Sequence, residues 1–184
     1  MSSRLAMSCL MHRFVRDSRG VSAVEFALVL PLMLTLYIGG AEVSQALSAN
    51  RKVTLVSRTI ADLTAQSSSI TSGRMTDFLN ASAAIMYPFA ASNLKVTVSC
   101  VAIDSAGRAT IKWSETLNGT KQATGASVTL PGALNVRSTS LLWSEAQYAY
   151  TPTIGYVISG TTNLRDQMYM SPRIAAPTYG TTTC

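Results

Sequence analysis

The chain reads as an α+β protein, with one long N-terminal helix (part membrane span, part stem) packed on a small antiparallel β-sheet head. Three patterns predict this. Val21 to Ile38 is an apolar run of near-membrane length behind a basic leader. Val53, Val56, Ile60 and Leu63 then recur at helical spacing. Further on, residues 94–103 and 141–150 alternate with the two-residue period of strands. The same patterns divide the chain into a basic leader over residues 1–20, a span and stem over 21–66, and a head over 67–184.

The span carries one anomaly. Between Val21 and Ile38 there are ten Leu, Ile, Val and Phe residues, together worth at most about −3 to −6 kcal/mol for insertion. Glu25 lies among them, and a charge at the helix centre costs roughly 2.5–3.5 kcal/mol, less toward the ends. Insertion survives, but much of its driving force is cancelled. An ionisable group in such a place is a candidate functional residue. The simpler alternative is a carboxylate that snorkels to the interface beside Arg19.

Helical character continues past the span. Arg51, Lys52, Arg58 and Asp62 fall largely between the apolar stem positions, and Arg58 and Asp62 stand four apart, as an ion pair on one helix face would. A helix from Val21 to Ala65 would be roughly 65–70 Å long, with Pro31 and Gly39-Gly40 as places where it can bend. Ser67-Ser68-Ser69 and Ser72-Gly73 read as a break, and Thr76–Tyr87 as a second helix ended by Pro88. Residues 94–103 and 109–114 form a predicted hairpin about Asp104-Ser-Ala-Gly107. Residues 115–137 are expected to be a long loop with a short strand near Val128. In 141–150, Leu142, Ser144, Ala146, Tyr148 and Tyr150 share one face. Tyr156–Ile158 is a candidate strand, and residues 163–184, with Pro172 and Pro177, are expected to pack as an irregular tail.

Charge points to topology. The formal charge of +6 includes +3 from the leader, where Arg4, Arg13, Arg16 and Arg19 face only Asp17; the remainder holds 11 basic and 8 acidic side chains. Basic residues flanking a span favour the cytoplasmic side, which places the head across the membrane. No dense basic patch with interleaved aromatics remains, so nucleic acid is not an expected partner. Cys9 belongs to the leader. Cys100 and Cys184 are expected to pair in an oxidising compartment; the alternative is a buried Cys100 thiol and a free Cys184.

The residues offer little for catalysis. His12, the sole histidine, lies in the leader, which leaves the rest without an imidazole for a nucleophile–base pair and without the usual transition-metal ligands. The carboxylates beyond it are scattered, at Glu25, Glu42, Asp62, Asp77, Asp104, Glu115, Glu145 and Asp166. No enzyme activity, cofactor or metal is expected. Asn80-Ala-Ser82 and Asn118-Gly-Thr120 fit a glycosylation sequon by chance. Trp113, Trp143 and the tyrosines are expected in the sheet core rather than on a lateral contact surface.

Residues 16–31, Arg-Asp-Ser-Arg-Gly-Val-Ser-Ala-Val-Glu-Phe-Ala-Leu-Val-Leu-Pro, resemble the N-terminal signature of the TadE/TadG-like family of Tad (tight adherence, Flp-type) pilus proteins. Weaker echoes are Glu145-Ala-Gln-Tyr-Ala-Tyr-Thr-Pro152 and Tyr169-Met-Ser-Pro-Arg173. The resemblance implies a pilin-like minor pilin or pseudopilin of a bacterial inner membrane, with its N-terminus cytoplasmic and its head periplasmic or carried into an extracellular pilus. It also implies a prepilin peptidase that cuts between Gly20 and Val21. Glu25 and Phe26 would then be the assembly carboxylate and its neighbour, with Glu25 meeting the new α-amine of an adjacent subunit. Phe26 departs from the Glu-Tyr usual in major Flp pilins, and the large head excludes a major subunit. The implied partners are other pilin and pseudopilin subunits and the pilus assembly platform. Two alternatives stay open: an uncleaved signal-anchored periplasmic scaffold, and an exported binding protein cut near Gly39-Gly-Ala41 or Ala46-Leu-Ser48.

Overall fold

The computed structural model describes residues 19–184. The leader residues Cys9 and His12 lie outside it. Helix α1 runs unbroken over Arg19–Ala65, 47 residues or about 70 Å. It passes through Pro31 and the Gly39-Gly40 pair without leaving helical conformation. One turn past Pro31, the Thr35 hydroxyl donates to the Pro31 carbonyl at 2.8 Å. From Gly20 to Tyr37 every side chain is exposed. From Gly39 onward one stripe is buried, including Ala49, Val53, Val56 and Ile60.

After a short strand β1 (Ser69–Ile70), helix α2 spans Ser72–Met86. It starts four residues before the expected Thr76 because Thr71 caps it, its hydroxyl accepting from the Arg74 amide at 3.3 Å. The head then forms a four-stranded antiparallel sheet of β2 (Leu94–Ile103), β3 (Ala109–Leu117), β4 (Thr139–Tyr150) and β5 (Thr162–Met170), in the order β3-β2-β4-β5. Leu94, Val96, Val98 and Cys100 on β2 and Leu142, Ala146, Tyr148 and Tyr150 on β4 face the buried stripe of α1 and make the core. A bulge between Cys100 and Val101 in the β2–β3 pairing precedes a smaller cluster of Val101, Ile103, Ala109 and Leu141. The Asp104–Gly107 turn is closed by Gly107 at φ +84°, and the Asp104 carboxylate accepts from the amide and guanidinium of Arg108, each at 2.8 Å.

Further expectations are corrected. The tail is ordered: β5 pairs along β4 over nine residues, β6 (Thr178–Tyr179) pairs parallel with β1, and β7 (Thr182–Thr183) pairs antiparallel with β6. An edge strand needs only half-burial and tolerates charges such as Arg165 and Asp166, so its alternation is faint in sequence. Tyr156–Ile158 is no strand but part of the β4–β5 loop. The strand near Val128 reduces to one bridge between Thr110 and Ser127. Asp62 does not pair with Arg58; it accepts from Arg173, brought in by the tail, and from Gln66 at 2.6 Å.

Candidate functional site

Two regions carry functional candidates. At the N-terminal end of α1, Gly20, Val21, Glu25 and Phe26 follow one another along an exposed helical surface, Phe26 at 61%. The surface continues to Tyr37 as apolar side chains with no protein against them. By length and composition this helix can cross a membrane.

The second region lies just beyond. Glu42, on the next turn of α1 after Ile38, is buried at 3% exposure. Its Oε1 accepts from the Tyr156 amide at 2.8 Å, and its Oε2 from the amides of Val157 at 2.8 Å and Ile158 at 3.3 Å. Three backbone donors converge on one carboxylate and hold its pKa below the usual value; the Tyr156 amide contributes most, ahead of Val157 and against a smaller desolvation penalty. Gly39 makes the approach possible: a Cβ there would sit 3.0 Å from Val157 Cγ2. Gly39 therefore serves as a seat for the loop, Gly40 faces open space, and the helix runs unbroken through the pair. Tyr150, which ends β4, is buried beside this carboxylate, and its hydroxyl is held above its ordinary pKa first by burial and then by the Glu42 charge.

Cys100 and Cys184 form a disulfide with their Cα atoms 5.6 Å apart, tying the end of the chain to the central strand. Beside it the Trp113 indole is buried, stacks obliquely on Tyr179 at 5.6 Å between centroids and donates to the Pro177 carbonyl at 3.4 Å. Trp143 is only partly buried and stacks on Tyr169 at 5.9 Å. Asn118, of the second sequon, stands at φ +53°, and its amide donates to the Leu94 carbonyl at 3.0 Å. Among the described residues no group of three or more His, Cys, Asp or Glu side chains is placed to hold a metal ion.

Residues 20–62 match the family model described as TadE-like protein. This segment is TadE-like. It comprises the exposed span and most of the stem, and it contains both Glu25 and Glu42. No curated protein and no solved structure matches the chain. The TadE-like helix thus brings its two acids to different ends: Glu25 on the bare surface, Glu42 inside the junction with the head.

Sequence reasoning missed the role of Glu42. A weak signal existed, since Glu42 is the only acid between Glu25 and Asp62 and follows two glycines. Its partners lie 114 to 116 residues away and donate through backbone amides, which no side-chain pattern encodes.

Proposed function

We propose that the protein is a minor pilin or pseudopilin of a Tad pilus, structural rather than enzymatic. It is held in a bacterial inner membrane by residues 21–38 with the head on the periplasmic side, and is cut after Gly20 by a prepilin peptidase. The observation that carries the reading is the division of one continuous TadE-like helix. Its first half is apolar and bare, and its second half is the spine of a folded head. A helix of that kind can exchange lipid for the helices of neighbouring subunits without any change in the head. Glu25 then sets register, because an unpaired carboxylate among packed helices is costly and the α-amine of Val21 on a neighbour relieves the cost.

The exported binding protein is the weaker alternative. A cut near Gly39 or Ser48 would divide α1 where it seats the head, at Gly39, Glu42 and Ala49. N-terminal sequencing of the protein from its native membrane decides. A first residue of Val21 supports the pilin, Met1 the uncleaved scaffold, and a start beyond Gly40 the exported protein. In the pilin reading, Glu25→Ala is still cut but no longer enters pili; normal incorporation would sink the pairing mechanism.

A further inference from the structure

The geometry points to the β4–β5 loop, residues 151–161, as a foot that inserts into the headgroup layer of the bilayer, with Ile154, Tyr156 and Val157 as the inserting side chains. This rests on the reading of residues 21–38 as a membrane span. Level along the helix is the first observation. Val157 packs on Gly39 and the loop amides bind Glu42, one and four residues past Ile38, or about 1.5 and 6 Å along the axis. Eighteen helical residues cover about 27 Å, close to the ~30 Å hydrocarbon core. The loop therefore meets the helix where acyl chains give way to headgroups. β4 ends at Tyr150 pointing toward that level, while the Asp104–Gly107 turn lies at the opposite end of the sheet, where Ile103 pairs with Thr139.

Chemistry is the second observation. Ile154, Tyr156 and Val157 are 63%, 62% and 54% exposed, and residues 151–161 contain no charged side chain. Tyr is enriched at membrane interfaces, and Tyr37, 77% exposed, marks the same level on α1.

Satisfaction of the backbone is the third. Unpaired amides are costly beside lipid, and Glu42 accepts those of Tyr156, Val157 and Ile158 from the helix side. The hydroxyls of Thr151 and Thr161 bond at 3.0 Å and close the neck of the loop. The carboxylate is in turn shielded by the loop it holds. Three side chains are too few for the ~800 Å² per partner of a stable protein interface, but a fluid lipid surface needs no matching shape.

The test uses the full chain with Cys9→Ser and its disulfide intact, in vesicles of phosphatidylethanolamine and phosphatidylglycerol. Nitroxide labels are placed singly at Ile154→Cys, Tyr156→Cys, Leu28→Cys in the span and Ser105→Cys in the distal turn, and collision with oxygen is compared with collision with a water-soluble nickel chelate. The foot requires an oxygen-to-nickel ratio at 154 and 156 several-fold above that at 105 and below that at 28. Ratios at 154 and 156 equal to that at 105, with 28 still deep, would overturn the foot and leave the span standing. Nickel access at 28 would overturn the span, and the foot with it. Nickel exclusion at 154 and 156 without oxygen gain, together with dipolar broadening, would assign the surface to a second copy of the chain instead.

Discussion

Cutting the Cys100–Cys184 link is predicted to cost the fold far more than its terminal position suggests. Cys184→Ser is the appropriate perturbation. The Cys100 thiol left behind is fully buried among Val98, Leu142 and other apolar groups and is suited to that site, so the cross-link alone is removed. The bridged residues are 84 apart in sequence. Closing a loop of that size in the unfolded chain is worth about 4–5 kcal/mol at 25 °C in the chain-entropy model. Over roughly 140 residues of stem and head at ~2.1 cal/mol/K each, the unfolding entropy is about 0.3 kcal/mol/K, so Tm should fall by about 15 °C. The assay is thermal unfolding of the detergent-solubilised full chain by near-ultraviolet circular dichroism, with reduced wild-type protein as a second route to the same state. At 25 °C the tail should stay docked, because Pro177 is buried and Thr178–Tyr179 pairs with Ser69–Ile70; tryptophan emission from Trp113 reports this. A fall in Tm of less than ~3 °C, or about 1 kcal/mol, would refute the reasoning by showing that the unfolded chain gains little freedom from the cut.

Acid should release the β4–β5 loop. The Glu42 pKa is depressed in the folded state, so its contribution is complete above the unfolded value near 4.5 and is lost as pH falls through the lower folded value. Amide exchange at Tyr156–Ile158 should accelerate on that descent, and in Glu42→Gln it should be fast already at neutral pH. Gly39→Val should free the same amides by colliding with Val157, whereas Gly40→Ala, with nothing within 4 Å of the new Cβ, should leave them protected and gain up to about 1 kcal/mol of helix propensity. Ile60→Ala, at a fully buried stem position, should destabilise the head by roughly 2–5 kcal/mol in denaturant titration; Leu55→Ala, at a half-exposed one, should cost much less.

Local patterns along the chain determined a good deal. The apolar span, the stem stripe of Val53, Val56 and Ile60, the 94–103 and 141–150 strands with their buried faces, and the Asp104–Gly107 turn are all governed by interactions between near neighbours or by one-sided burial, both of which leave a period in the residues. Glu25 and the TadE-like signature were legible for the same reason, since a charge in an apolar run is conspicuous without any partner. Three features were decided only by tertiary structure. The tail became strands because β4 and β1 offered edges to it, and Asp62 turned from Arg58 to Arg173 because the tail passes Ala65. Glu42 became the anchor of a loop more than 110 residues away. Each depends on hydrogen bonds to distant backbone or on which edge is left open, and those are properties of the assembled fold rather than of any residue's neighbours.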